Sequence, residues 1–236
     1  MNQPKYHRIL LKLSGEALAN GGGEILDFSF LETVAAQIRK CTEAGVQVAV
    51  LTGAGNIWRG RQGNGMDRCR ADHMGMLATV INCIAMQDTL IRSGMKAVVM
   101  SAVPMEAFAD VYTSRGAIAA LEAGTVVVLA GGLGTPYFST DTAAVLRAAE
   151  IGADCVLMAK NIDAIYSDDP KKNPDAVRYT DLTYRRILDE GLRALDMSAT
   201  IFCMDNDIRG YAFGLSDPEN IYRVVMGEPV GTEIHN

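Results

Sequence analysis

Short apolar runs alternate along this chain with longer segments in which apolar residues recur at helical spacing. The runs are almost continuously hydrophobic, which is typical of parallel strands that are covered on both faces. The predicted strands are Ile9–Leu13, Val46–Leu51, Ala97–Met100, Val126–Leu129, Cys155–Met158 and Tyr211–Phe213. The predicted helices are Phe28–Ala44, Ala71–Ser93, Arg115–Glu122, Thr142–Ile151 and Tyr184–Gly191. This alternation predicts an α/β fold, a three-layer α/β/α sandwich with a mainly parallel central sheet.

Three glycine-rich turns each follow one of the predicted strands. They are Lys12–Glu16, Gly53–Gly60 and Gly131–Pro136. The carboxyl ends of parallel strands meet at one edge of a sheet, where such folds bind ligands. Backbone N–H groups in these turns approach an anion closely, and the start of a following helix adds positive charge. With Lys12 in the first turn and Arg59 in the second, the turns predict a site for several phosphate groups.

Composition places the chain among globular proteins. Its 236 residues suffice for a large core, with 49% hydrophobic and 21% charged residues, and the net charge of -6 argues against a nucleic-acid-binding surface. The five cysteines are dispersed in apolar surroundings, as expected of reduced core thiols. The start lacks a signal-peptide core, and no run approaches the roughly 18 apolar residues of a membrane span. We therefore expect a cytoplasmic protein with no membrane and no nucleic-acid partner.

Two basic residues in the glycine-rich turns are candidates for binding phosphate. Lys12 lies in an otherwise apolar strand, shortly before Ser14–Gly15, where its ammonium group can reach over the strand end to phosphate oxygens. The alternative is a lysine whose stem packs at the strand end while the ammonium reaches solvent. Arg59 follows glycines that leave room for bidentate binding of a phosphoryl group. The alternative for Arg59 is a surface arginine in a flexible loop.

Asp72 and Asp141 stand at the starts of predicted helices, and Asp196, in the segment Leu195–Ser198, is similarly ambiguous. Each is either a helix cap, which is the commoner use of aspartate at such positions, or a site carboxylate that binds a ribose or holds Lys12. Trp58 is predicted to be a packing anchor, and the methionines are predicted to pack in a core or subunit interface. The three histidines share no ligand spacing, so we assign no residue to a metal.

Several segments resemble a known family in order along essentially the whole chain. They are Leu11–Leu18, Gly55–Gly60, Ala71–Asn82, Thr140–Ala144, Asp163, Tyr166, Asp169–Pro170, Asp196 and Val225–Thr232. Together they resemble the bacterial uridylate kinases of the amino-acid kinase superfamily. The run Asp72–Thr79 is specific to this branch and is not shared by the amino-acid or carbamate kinases of the superfamily.

The resemblance implies a single amino-acid-kinase-like domain over residues 1–236. The N-terminal part would serve mainly UMP binding and oligomerisation, and the C-terminal part mainly ATP binding. The implied reaction is ATP-dependent phosphorylation of UMP to UDP with Mg²⁺, a step toward UTP and CTP in pyrimidine biosynthesis. The implied protein is a cytoplasmic homohexamer, with UTP as a possible inhibitor and GTP as a possible effector.

The resemblance also implies roles for particular residues. The catalytic residues would be Lys12, Arg59 and Asp141. The ATP-binding residues would be Lys12, Leu13, Ser14, Gly15, Gly55, Arg59, Lys160, Tyr166 and Asp169. The UMP-binding residues would be Ala54, Asp72, Leu133, Gly134, Thr135, Pro136, Tyr137, Phe138, Ser139 and Thr140.

This chain departs from the family pattern in three places. Ala54 stands where a glycine is common, Leu133 and Thr135 replace a threonine and an asparagine, and Met158–Asn161 replaces a Lys-x-Thr-Lys pattern. In the last of these, Lys160 takes the place of the threonine and offers a positive charge one step along. Two alternatives therefore stay open. One is a kinase of the same fold for an amino acid, carbamate or another nucleoside monophosphate, and the other is a non-catalytic nucleotide-binding or storage protein.

Overall fold

The structure is a computed structural model that describes residues 3–19, 24–59, 65–192 and 194–236. Gly60, the last residue of the second predicted turn, lies outside them. The strands are β1 Arg8–Leu13, β2 Gln47–Thr52, β3 Ala97–Ser101, β4 Asp110–Val111, β5 Val126–Ala130, β6 Cys155–Lys160, β7 Ile165–Tyr166, β8 Arg178–Tyr179, β9 Asp181–Thr183, β10 Gly210–Gly214 and β11 Thr232–His235. The helices are α1 Gly15–Leu18, α2 Phe28–Glu43, α3 Arg68–Arg92, α4 Ser114–Glu122, α5 Thr140–Ile151, α6 Tyr184–Asp189, α7 Met197–Asp205 and α8 Asn220–Val225.

Nine strands form the central sheet, in the order β4-β3-β5-β2-β1-β6-β10-β11-β9. All neighbouring pairs are parallel except β10 and β11. β7 and β8 form a separate antiparallel pair. The predicted α/β class with a mainly parallel sheet is therefore confirmed. The predicted strands and helices all occur, with ends that shift by three residues or fewer, whereas β4, β7, β8, β9, β11, α1, α7 and α8 were not predicted.

Alternate strand residues divide the core into two layers, one on each face of the sheet. Ile9, Leu11 and Leu13 of β1 belong to a cluster with buried residues of α2, α3 and α8. Leu10 belongs to a second cluster with buried residues of α4, α5, α6 and α7. Because successive side chains of a strand point to opposite faces, Lys12 shares the face of Leu10 and is directed toward the α5 layer.

Helix α3 is the described segment that bears on the expected absence of a membrane span. By length and composition it could cross a membrane, with a mean hydropathy of 1.4 over its most apolar stretch. Half of that stretch is buried inside the fold, where α3 packs against α2, β3 and β5. Packing of this kind is typical of a core helix in a soluble protein, so α3 belongs to the helical layer of the sandwich.

Candidate active site

The first two glycine turns pack directly against each other at the carboxyl ends of β1 and β2. A Cβ atom placed on Gly15 would lie 2.6 Å from the backbone nitrogen of Gly55 and 2.8 Å from the carbonyl oxygen of Gly53. The side-chain amide of Asn82 in α3 fixes this contact, because it donates to the Gly53 carbonyl at 2.7 Å and to Asn56 Oδ1 at 2.9 Å. Only glycine permits so close an approach of the two turns.

The third glycine turn is also tied to α3. The backbone N–H of Gly131 donates to Thr79 Oγ1 at 2.9 Å. Gly131 has φ +78° and Gly134 has φ +76°, and a Cβ on Gly134 would lie 3.0 Å from the carbonyl oxygen of Ala102. Sequence reasoning assigned no individual role to Thr79 or Asn82. In the sequence, only their membership of the Ala71–Asn82 motif marked these two residues. In the structure, each side chain holds one glycine turn in place.

Lys12 and Asp141 form the central ion pair of the site. Lys12 Nζ lies 2.7 Å from Asp141 Oδ1, and the two side chains are 11% and 20% exposed. Burial acts to raise the pKa of Asp141, but the charges of Lys12 and Lys160 outweigh it and hold that pKa below its ordinary value. The alternative of a solvent-reaching lysine is therefore wrong for Lys12. The capping alternative is wrong for Asp141, because Ser139 Oγ caps α5 by accepting from the N–H groups of Asp141 and Thr142.

Lys160 is a second lysine near the same carboxylate. It ends β6, where its ammonium group donates to the Ala194 carbonyl. Burial lowers the pKa of Lys160, and the charge of Asp141 offsets only part of that effect. β6 is hydrogen-bonded beside β1, with Met158 opposite Lys12, so Lys160 sits at the same sheet edge as the ion pair. The structure thus places this lysine beside the charged centre.

Asp196 is both a helix cap and a member of this cluster. Its Oδ1 accepts from the backbone N–H of Ala199 at 2.8 Å, which caps α7. Its Oδ2 accepts from Thr142 Oγ1 at 3.1 Å and from the Ser139 hydroxyl. Asp196 therefore links the start of α7 to the start of α5, the helix that carries Asp141.

A cavity of about 520 Å³ opens beside these groups. Most of the residues predicted to bind UMP line it, namely Ala54, Asp72, Leu133, Thr135, Tyr137, Phe138, Ser139 and Thr140. Gly134 and Pro136 are not among its lining residues, although they belong to the same turn. The lining also includes Gly55, Arg59 and Asp141, together with Trp58, Arg68, Gly75, Met76, Thr79, Gly131, Gly132 and Asp196. The volume is within the range of small-ligand sites.

Two charged lining residues pair with neighbouring side chains. The Arg59 guanidinium contacts the Glu16 carboxylate, and the two side chains are about half exposed. Asp72 Oδ2 accepts from Arg68 Nε at 2.8 Å and from the backbone N–H of Tyr137 at 2.8 Å. The capping alternative for Asp72 is wrong, because α3 begins at Arg68 with Asp67 as its cap.

Of the residues predicted to bind ATP, Gly55 and Arg59 line the cavity, and the others are not among its lining residues. Lys12 is joined to the cavity through Asp141, which does line it. Tyr166 lies in β7, and its hydroxyl donates to Asp163 Oδ1 at 3.0 Å. Asp169 lies in the loop after β7 and accepts from the Lys171 N–H at 3.0 Å. Leu13, Ser14 and Gly15 lie at the end of β1, and Asp141, which pairs with Lys12, lines the cavity together with Gly55 and Arg59.

The remaining sequence predictions concern packing and metal binding. Trp58 packs beside α3 and donates from Nε1 to the Ala71 carbonyl at 2.8 Å. Met86 is fully buried, whereas Met74 is exposed on α3 and Met76 lines the cavity. Four of the five cysteines are buried, with Cys69 half-buried. Over the described part of the chain, no group of three or more histidine, cysteine or carboxylate side chains is arranged to hold a metal ion.

Comparison with known proteins places this geometry in a family. A family model described as amino acid kinase family matches residues 7–213. A UMP kinase from Bacillus anthracis has 34% sequence identity and a TM-score of 0.94, covering 98% of this chain and 96% of its own. A UMP kinase from Ureaplasma parvum has 33% identity and a TM-score of 0.92, covering 98% and 100%.

A more distant neighbour shares the same architecture. A uridylate kinase from Archaeoglobus fulgidus has 27% identity and a TM-score of 0.73, covering 96% of this chain and 99% of its own. The likeness thus extends over nearly the full length of each chain and includes every element that carries the site. The chain belongs to the amino acid kinase family, and the bacterial UMP kinases are the members that it resembles.

Proposed function

We propose that this protein transfers the γ-phosphoryl group of ATP to UMP, which yields ADP and UDP. The observation that carries the proposal is the Lys12–Asp141 pair, which joins the glycine turns to the cavity that contains most of the predicted UMP residues. The structural relatives with the highest similarity given above are UMP kinases. The step would belong to pyrimidine nucleotide synthesis toward UTP and CTP, in the cytoplasm.

The chemistry requires charge stabilisation rather than a covalent intermediate. A phosphate oxygen of UMP is already anionic, so it attacks the γ-phosphorus of ATP in line without a general base. The bond from that phosphorus to the β–γ bridging oxygen breaks, and ADP leaves. Lys12 and Arg59 would neutralise the transferring group, the turn amides would bind phosphate oxygens, and Asp141 would orient Lys12.

The two nucleotides would occupy adjacent parts of the site. UMP would bind in the cavity along Asp72 and Leu133–Thr140, mainly on the N-terminal part of the chain. ATP would bind beside it, with its phosphates at Lys12–Gly15 and Lys160 and its nucleoside near Tyr166 and Asp169. Lys160 would supply positive charge to the ATP phosphates from the end of β6. The single-domain organisation over residues 1–236 is part of the same proposal.

Mg²⁺ would enter the site together with ATP. Magnesium usually keeps several waters and binds through one or two carboxylates and the substrate phosphates, without a dedicated protein cage. Of the carboxylates that line the cavity, Asp141 would fit this use, because it stands beside Lys12 at the proposed phosphate site. When bound, the ion supplies neutralisation of phosphate charge. The chain's own residues keep the task of aligning the two nucleotides.

We also infer that the protein assembles through the outer face of α3. Five large apolar side chains of this helix are between 39% and 52% exposed, namely Met74, Leu77, Ile81, Ile84 and Ile91. The first four recur at three- and four-residue spacing and Ile91 follows Ile84 after seven residues, which is the pattern of a helix–helix seam. A second copy of the chain offers a self-complementary stripe, as a two-fold contact requires. Such a contact is one interface of the proposed homohexamer.

We also propose that nucleotides regulate the protein. UTP shares the uridine and a phosphate with UMP, so it would compete for the 520 Å³ cavity. GTP as an effector rests on the family resemblance, and no described residue is assigned to it.

One measurement tests the activity and both alternatives. ADP release from Mg-ATP is followed with UMP, CMP, dUMP, AMP, aspartate, glutamate and carbamate as separate acceptors. Turnover with UMP alone supports the proposal. Turnover with another acceptor favours the same-fold alternative, to which the changed residues Leu133 and Thr135 in the cavity lining give a physical basis. ATP binding without ADP release from any acceptor favours the non-catalytic alternative.

The assignment of Lys12 and Arg59 is tested in the same assay. Lys12→Ala or Arg59→Ala is expected to lower kcat by about a hundredfold or more, the scale of a lost transition-state contact. Lys96→Ala is the matched control, because Lys96 is an exposed lysine just before β3, at the other end of the strands. Near-normal turnover by a folded Lys12 or Arg59 variant contradicts the assignment.

A further inference from the structure

Arg68 is a cavity residue for which neither the sequence motifs nor the proposed reaction supplies a role. It is the first residue of α3, and its side chain is 35% exposed. Its Nε donates to Asp72 Oδ2 at 2.8 Å, one helical turn further along. Its guanidinium carbon lies 5.3 Å from the centre of the Tyr137 ring, within the range of a cation–π contact.

The same carboxylate oxygen of Asp72 also holds the turn on the other side of the cavity. The backbone N–H of Tyr137 donates to Asp72 Oδ2 at 2.8 Å. Tyr137 has φ +74°, a left-handed conformation that residues other than glycine rarely adopt. Arg68, Asp72 and Tyr137 thus form a triangle in which the helix and the strained turn share one oxygen atom.

The two carboxylate oxygens of Asp72 differ in the hydrogen bonds that they accept. Both hydrogen bonds that Asp72 accepts within the described part of the chain fall on Oδ2. The side chain is 13% exposed, and it lines the cavity. With Oδ2 held from two directions the carboxylate cannot rotate freely, so Oδ1 keeps a fixed position from which it can accept a hydrogen bond from a ligand hydroxyl.

We propose that Arg68 is a positioning residue that fixes Asp72 so that its carboxylate accepts a hydrogen bond from a ribose hydroxyl of the acceptor nucleotide. The inference rests on the proposed function, and it adds a residue that acts through Asp72 rather than on the nucleotide itself. A guanidinium suits the task, because Nε donates to the carboxylate while the cation stays within cation–π range of the Tyr137 ring.

A double-mutant cycle tests whether Arg68 acts through Asp72. The four proteins are the wild type, Arg68→Ala, Asp72→Asn and the double variant, each assayed for KM and kcat with UMP and for UMP affinity by calorimetry without ATP. Arg68→Ala is expected to raise KM and the dissociation constant for UMP about tenfold, with kcat changed less than about twofold. In the Asp72→Asn background the same change is expected to alter them less than about twofold.

Two further variants control for the loss of a positive charge on α3 and for failure of the alanine variant to fold. Arg70→Ala removes the same charge from the same turn of α3 at an exposed position, and it is expected to leave UMP binding unchanged. Arg68→Gln keeps a side-chain N–H donor, and the cycle is repeated with it if the alanine variant does not fold.

The remaining outcomes overturn the inference in distinguishable ways. An equal loss of affinity with and without Asp72 means that Arg68 contacts the nucleotide directly. An unchanged KM, or a fall in kcat with KM constant, also contradicts positioning. Absence of turnover in the wild type refutes the proposed function, while the calorimetric cycle still reports on Arg68. A wild type that neither turns over nor binds UMP refutes both.

Discussion

At the scale of single residues, the site depends on small side chains as much as on charged ones. Gly15 is buried where the turns after β1 and β2 meet, with backbone atoms of the second turn against its α-carbon. The alternation of side chains along β1 puts Lys12 on the face of the sheet that α5 covers, where it pairs with Asp141. The charged pair therefore relies on the contact between the two turns to keep its place at the sheet edge.

A methyl group at Gly15 is expected to separate these turns. In Gly15→Ala the added atom would lie 2.6 Å from the Gly55 nitrogen, and a backbone atom cannot move aside without displacing the turn. We expect a loss of about 1–3 kcal/mol in the free energy of unfolding, measured with urea, as for overpacked cores. We also expect a lower kcat, because the phosphate-facing amides shift.

Gly75→Ala is the control for this experiment. Gly75 lies inside α3, and the nearest atom to an added Cβ is Trp58 Cδ1 at 3.9 Å. Because this is an ordinary van der Waals distance, replacing the helical glycine by alanine is expected to stabilise the protein by about 0.5–1 kcal/mol. If Gly15→Ala proved as stable as the wild type, the close contact between the turns would not be a constraint.

At the scale of elements, the start of α5 organises the centre of the site. Ser139 Oγ accepts from the N–H of Asp141 at 3.0 Å and from that of Thr142 at 3.1 Å, and its hydroxyl donates to Asp196. The helix that carries Asp141 is thus fixed to the start of α7 by Ser139 together with Thr142, whose hydroxyl donates to the same carboxylate. Loss of this cap affects the orientation of α5 as well as its stability.

Ser139→Ala is expected to lower the free energy of unfolding by about 1 kcal/mol, the usual value of an N-cap. It is also expected to lower kcat/KM about tenfold, because Asp141 is held less firmly beside Lys12. Thr113→Ala removes the equivalent cap of α4, where Thr113 Oγ1 accepts from the Gly116 N–H at 3.0 Å.

The two cap variants should separate stability from function. Thr113 lies outside the cavity lining, so its variant should lose similar stability and keep its activity. Equal activity in both variants would show that the cap of α5 stabilises the helix without orienting the catalytic carboxylate.

At the scale of the whole molecule, the exposed stripe of α3 lies on the helix that also carries Asp72, Thr79 and Asn82. One face of the helix binds the glycine turns, and the opposite face presents Met74, Leu77, Ile81, Ile84 and Ile91 to the surroundings. An assembly through this stripe would place the sites of two copies on paired helices.

Ile81→Glu is expected to disrupt the assembly, because it places a charge at the centre of the stripe. Light scattering after gel filtration should give a mass of six subunits for the wild type and a smaller mass for the variant. Val177→Glu introduces the same charge at an exposed aliphatic residue outside α3, and it should leave the mass unchanged. A wild-type mass of one subunit would contradict the proposed assembly.

The sequence by itself determined much of the architecture. Continuous apolar runs such as those of β1 and β5 predicted buried parallel strands, because both faces of such strands are covered. The glycines, with Lys12 and Arg59 beside them, predicted a phosphate-binding edge of the sheet. Glycine allows the backbone to approach a phosphate closely, and lysine and arginine supply positive charge. Short elements such as β11 were not predicted from the sequence, because the four residues of this strand, which pairs antiparallel with β10, are too few to show a periodic pattern.

Only the tertiary structure decided which of the possible roles each polar residue takes. Asp72, Asp141 and Asp196 looked alike in sequence, yet they hold Arg68 and Tyr137, pair with Lys12, and cap α7, respectively. The roles of Thr79, Asn82 and Arg68 were likewise hidden, because each depends on a partner brought near by the fold. Local sequence encodes backbone preference and side-chain chemistry, whereas the partner of a charge is set by which strands and helices pack together.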